Sequence, residues 1–104
     1  MPDIHSIRLR EPWKCEPRGE GVLWIRTFNW PAGLTRREKV WVIIENLPSE
    51  ARVLFNGQAL NGQVLAGDFE VTSLIALHNR LEIELPGGNA EKFPCQVRLD
   101  IDEG

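Results

Sequence analysis

Carboxylates, imidazoles and thiols are the groups with which a small chain does covalent chemistry, and in this sequence their placement argues against it. Hydrolysis by paired carboxyls needs two acids facing each other about 5–10 Å apart, one of them kept protonated by burial. The acidic side chains that strand parity can place, Glu45, Glu82, Glu84, Asp100 and Asp102, all fall on solvent faces. His5 lies in the N-terminal segment, and His78 lies in a predicted His78-Asn79 turn with no Ser or Cys neighbour to activate. Cys15 and Cys95 sit near opposite ends, without the close spacing of a metal site or a redox pair. They read either as two reduced, buried thiols or as a disulfide tying the first strand to the last, which requires the two ends to pair in space. No cluster has metal-ligand spacing and no glycine-rich loop could cradle a phosphate, so the expectation is a non-enzyme with no catalytic residue, metal or cofactor.

The elements that must position any site are short strands. Ile7 and Leu9 alternate with Arg8 and Arg10, which predicts a half-buried strand ended by Pro12. Gly19 to Gly21 reads as a turn. From Val22 to Phe28, alternation puts Val22, Trp24, Arg26 and Phe28 on one face and Leu23, Ile25 and Thr27 on the other. Apolar groups on both faces mark a central strand. Lys39 to Glu45 is rich in β-branched residues, with Val40, Val42 and Ile44 inward and Trp41 and Ile43 on the wet face.

Leu47-Pro48-Ser49-Glu50 turns the chain into a strand with Ala51, Val53 and Phe55 inward. Asn56-Gly57 then signals a type I′ hairpin, because both residues accept positive φ. Asn61-Gly62 closes a small hairpin or opens a loop toward Asp68. Thr72 is expected to cap a short helical turn over Ser73 to Leu77, followed by an inward row of Leu81, Ile83 and Leu85. Val97, Leu99 and Ile101 alternate with Arg98, Asp100 and Asp102 in a last strand. Many short strands punctuated by Gly and Pro, with no long helix and no repeat, predict an all-β antiparallel β-sandwich.

Length and charge set the bounds. The 104 residues predict one domain, 1–104, and a composition of 42% hydrophobic and 26% charged residues is that of a globular protein. A formal charge of -3 argues against nucleic acid, and the one basic run, Arg36 to Lys39 interrupted by Glu38, reads as a solvated strand entrance. The longest apolar run, Val40 to Ile44, is strand-sized, so no membrane span is expected. The start, MPDIHSIRLREPW, lacks the basic opening and apolar middle of a secretory signal, which predicts a cytoplasmic protein.

Three segments carry a family likeness: WIRTFNWP at Trp24 to Pro31, KVWVIIENLPSEARVLFNGQAL at Lys39 to Leu60, and DFEVTSLIALHNRLEIEL at Asp68 to Leu85. They resemble the N-terminal sugar-binding domain of glycoside hydrolase family 2, the β-galactosidase and β-mannosidase group. The resemblance implies a jelly roll of the galactose-binding-domain-like superfamily. Two departures stand out: Glu70 takes the place of the Asp that precedes Val-Thr in the family, and the connecting loops are shorter. The family's catalytic glutamates belong to a separate barrel domain, so no catalytic residue carries over.

That resemblance makes carbohydrate a candidate ligand and the tryptophans its candidate platforms, since sugar C–H faces stack on exposed aromatic rings. Trp13 and Trp24 read as core. Trp30, at a strand exit beside Pro31, and Trp41, on the wet face, are the candidates for exposure, with Asn61, Gln63 and Asp68 as polar partners. The alternative is a protein-interaction or scaffold module, in which Trp41, Ile43 and Leu54 form an apolar patch for a homodimer or another protein.

Overall fold

The computed structural model describes residues 4–30, 38–48, 50–60, 67–87 and 93–102. Nine strands follow in order: β1 (Ile4–Arg8), β2 (Lys14–Arg18), β3 (Gly21–Asn29), β4 (Lys39–Glu45), β5 (Arg52–Phe55), β6 (Gln58–Leu60), β7 (Asp68–Glu70), β8 (His78–Leu85) and β9 (Gln96–Asp102). A 3₁₀ turn, Thr72–Leu74, lies between β7 and β8. The strands form two antiparallel sheets, one in the order β1-β9-β4-β7 and the other in the order β2-β3-β8-β5-β6. Their packed inner faces make the all-β antiparallel sandwich that the alternation predicted, consistent with the jelly roll that the resemblance implied.

Period-two patterning explains the core. Val40, Val42 and Ile44 on β4 meet Val97, Leu99 and Ile101 on β9 through one sheet, and Val53, Phe55, Leu81, Ile83 and Leu85 oppose them from the other. Trp24 joins this core from β3, and Phe69 and Val71 close it beside β4. On the outer face of β3, Leu23 and Ile25 are also buried. Their cross-strand neighbours are Glu16 and Glu84, and Lys14 and Glu82, whose long aliphatic stems flank them.

The Asn56-Gly57 hairpin forms as predicted, with φ of 51° and 82°, and pairs Phe55 with Gln58. Its asparagine does more than turn. Asn56 Oδ1 accepts from the Arg80 amide at 2.8 Å, while its Nδ2 donates to the Leu74 carbonyl at 2.7 Å and to Asn79 Oδ1 at 3.0 Å. The hairpin is thereby bolted to the start of β8.

Four expectations change. β1 ends at Arg8 with all five residues exposed, and Ile7 is 46% accessible although it lies opposite the buried Leu99. As the outermost strand, β1 has β9 on one side only, and the opposing sheet leaves Ile7 uncovered. β2 was not expected, because KCEPR is mostly charged and contains Pro17; at a sheet edge a proline removes no needed hydrogen bond. Thr72 is the first residue of its turn, not its cap. Its Oγ1 accepts from the Val40 amide at 2.9 Å and donates to Glu70 Oε2 at 3.0 Å, so it anchors the entrance of β4. His78 and Asn79 open β8, paired with Asn29 and Phe28, and are no turn.

Candidate functional site

Among the described residues, those expected to bind lie on different parts of the sandwich. Trp30 follows β3, is half-buried against the core, and donates its backbone N–H to the Leu77 carbonyl at 2.9 Å. Trp41 sits half-buried on the outer face of the four-stranded sheet, between Asp100 of β9 and Glu70 of β7. Asp68 shares that outer face, opposite Ile43. Asn61 and Gln63 lie outside the described residues. Leu54 belongs to the other sheet, where it pairs with Glu82 and Ala59, so Trp41, Ile43 and Leu54 form no common patch. Parity placed each residue on its strand face correctly and could not say which sheet the strand would join.

What the fold does assemble is a cleft of 300 Å³ between the segment that follows β1 and the segment that leads into β9. One wall is aromatic. Trp13 and Phe93 stack with ring centroids 4.2 Å apart and planes 24° apart, and Phe93 leans on Trp24 at 5.2 Å. The Trp13 ring is fixed from its own segment, its Nε1 donating to the Leu9 carbonyl at 3.1 Å. The resemblance gave Trp13 to the core; it packs half-buried against that core and also lines the cleft. The buried indole N–H of Trp24 has no hydrogen-bond partner among the described residues.

Beside Leu9, Cys95 and Val97, the lining includes the polar and charged Arg8, Arg10, Glu11, Glu45, Gln96 and Arg98. Arg10 is held at its backbone, where its carbonyl accepts from Arg26 Nε at 2.8 Å. The Glu11-Pro12 peptide beside it is cis. Arg98 is fully engaged, with Nη1 at 3.2 Å from Glu45 Oε1 and Nε at 3.1 and 3.3 Å from the two Asp100 oxygens. Burial alone would lower the pKa of this guanidinium, but the hydrogen bonds and charges of Asp100 and Glu45 outweigh it and hold it above its ordinary value. Ser6 Oγ donates to Asp100 at 2.7 Å and completes the network across β1, β9 and β4.

Cys95 lies in the cleft lining, buried, with Sγ 3.5 Å from the Asn46 carbonyl. Burial pushes its pKa up. Cys15 stands half-buried on β2, and both thiols are free. The first and last strands do pair, as a disulfide would need, but Cys15 is on the second strand, in the other sheet. His78 Nδ1 lies 2.8 Å from Asn29 Oδ1 on the surface. Among the described residues no group of three His, Cys, Asp or Glu side chains is arranged to hold a metal ion, and no helix is long and apolar enough to cross a membrane.

No family model matches this chain, and none of the curated proteins matches it. Among solved structures it is similar to an FMN-binding beta-glucuronidase from Facaelibacterium prausnitzii L2-6, with a TM-score of 0.65 and 18% identity over 94% of this chain. The chain spans 22% of the length of that enzyme. At this identity the likeness is one of fold: the sandwich recurs as one part of a larger protein.

Proposed function

We propose that the chain is a non-catalytic carbohydrate-recognition module, akin to the sugar-binding domain of family 2 glycoside hydrolases, and that the Trp13–Phe93 cleft is its binding surface. The cleft carries the reading. An aromatic wall edged by guanidinium and carboxamide groups is the combination that holds a pyranose, the ring supplying a platform for C–H faces and the polar groups orienting hydroxyls. The likeness in fold to part of a beta-glucuronidase supports the same class of ligand. Glu11 and Glu45 also line the cleft, but both are exposed and Glu45 is spent on Arg98, whereas a glycosidic general acid must be kept protonated by burial.

With a single aromatic wall and an open mouth, affinity is expected to be on the order of millimolar, about −4 kcal/mol. Titrating a panel of neutral and acidic mono- and oligosaccharides while recording amide NMR shifts tests this directly. Shifts should cluster around residues 8–13 and 93–98, vanish in Trp13→Ala, and survive in Trp30→Ala. A panel that moves no resonance ends the carbohydrate reading.

A second reading, an interaction or scaffold module, is favoured by the β1 edge. Ile4 and Ile7 are exposed there at 59% and 46%, at a sheet edge beside which the described residues place no further strand. Light scattering at rising concentration, with Ile7→Lys as the control, tests self-association. A monomer throughout, unchanged by the substitution, counts against it.

A further inference from the structure

The charges of the cleft point to a narrower ligand class. Arg8 lies directly opposite Arg98 across the β1–β9 ladder, and the alternation that turns Val97 and Leu99 inward puts both guanidinia on the outer side. Like charges in that position repel each other and destabilise a sheet pair. Arg98 is compensated by Glu45 and Asp100. Arg8 is not, and neither is Arg10: among the described residues neither guanidinium meets a carboxylate or any other hydrogen-bond partner. With Asp100 counted beside Glu11 and Glu45, three carboxylates meet three guanidinia, but Glu45 and Asp100 are both committed to Arg98, which leaves Arg8 and Arg10 facing Glu11 alone.

We infer that the cleft selects an acidic saccharide, a hexuronate, whose carboxylate is taken by Arg8 and Arg10 while its ring lies on the Trp13–Phe93 wall. The inference rests on the carbohydrate reading above and adds the sign of the ligand. A planar guanidinium matches a carboxylate with two parallel hydrogen bonds, and the incoming negative charge gives Arg8 and Arg10 the partner they lack. A neutral sugar would gain the aromatic contact and leave both guanidinia without a carboxylate. The carboxylate of Glu11 opposes an anion, and two uncompensated guanidinia outnumber it.

The test compares sodium glucuronate, glucose and sodium acetate on the whole chain by amide NMR titration, in the native protein and in Arg8→Gln and Arg10→Gln. Both substitutions are at exposed positions and leave the core untouched. Glucuronate should bind about tenfold more tightly than glucose, the gain of one good charge-assisted contact. Either substitution, or raised salt, should remove the advantage of glucuronate, so that the ratio of its affinity to that of glucose falls toward one. Equal binding of the two sugars by the native protein would overturn the acidic preference and leave the carbohydrate reading standing. Acetate binding as tightly as glucuronate would also overturn it, by showing an anion site with no use for the ring. If neither sugar binds, both readings fall.

Discussion

The carboxamide of Asn79 is the one buried polar side chain among the described residues, 2% exposed, and it is held by local partners through both its oxygen and its nitrogen. Its Oδ1 accepts from the Ala76 amide at 2.8 Å and from Asn56 Nδ2 at 3.0 Å, and its Nδ2 donates to the Ala76 carbonyl at 2.9 Å. Asn79→Ala removes these partners at once and strands an amide and a carbonyl. The expected loss is about 1–3 kcal/mol, read from urea unfolding, because three hydrogen bonds of about 1 kcal/mol each are lost at a site where Ala76 itself is exposed and water reaches part of the gap. A loss below about 1 kcal/mol would mean water replaces the carboxamide freely. Cys95 offers a second test at this scale. Burial raises its pKa, so the folded chain holds the thiol proton more tightly than the unfolded chain. Stability from this group is therefore complete below the unfolded thiol pKa of about 8.5 and is lost as pH rises above it toward the raised folded value. Unfolding followed from neutral to alkaline pH should show this decline, reduced in Cys95→Ala; and iodoacetamide should modify Cys15 well before Cys95 in the native protein.

Among the elements, two of the four glycines that the described residues hold at positive φ, Gly57 and Gly67, should respond unequally. Gly57, at φ 82°, has open space where a Cβ would stand, so Gly57→Ala adds only the left-handed backbone strain of about 1–2 kcal/mol. Gly67, at φ 97°, would place a Cβ 2.2 Å from the Ile44 carbonyl oxygen, in a chain whose own carbonyl accepts from the Ile44 amide at 2.7 Å. Gly67→Ala must push the entrance of β7 off β4, and is expected to cost roughly 2 kcal/mol more than Gly57→Ala in paired thermal melts. Equal costs would show that this entrance yields easily. The Asn-Gly turn was legible in the sequence because its chemistry is local; the tight approach of Gly67 to Ile44 was not, since it depends on a contact 23 residues away in the chain. The same division runs through the rest. β4, β8 and β9 were readable from strict alternation, while β2 hid behind charged residues and a proline that an edge position tolerates. The cleft was illegible for a stronger reason: it joins Trp13 to Phe93 and Arg8 to Arg98, pairs drawn from the two ends of the chain, and no local pattern encodes that meeting.

In the molecule as a whole, β9 connects the proposed site to the fold. It pairs with β1 on one side and β4 on the other, places Val97, Leu99 and Ile101 in the core, and carries Gln96 and Arg98 of the cleft lining. The facing wall, Arg8 to Trp13, is the continuation of β1, so the cleft exists only while the pairing of the two chain ends holds. Unfolding must therefore destroy the site, and a ligand that binds only the folded chain must stabilise all of it. At a free concentration ten times Kd the gain is about 1.4 kcal/mol, which for a chain of this size corresponds to a rise in Tm of roughly 5–10 °C. Glucuronate should produce this rise in thermal unfolding monitored by both circular dichroism and tryptophan fluorescence, with the two midpoints moving together. Glucose at the same concentration, roughly equal to its own weaker Kd, should give about a third as much, and Arg8→Gln should bring the glucuronate response down to that level. A glucuronate shift retained in full by Arg8→Gln would place the carboxylate elsewhere on the molecule. Midpoints that separate on adding the sugar would instead show that the cleft unfolds independently of the sandwich, contrary to the part β9 plays in both.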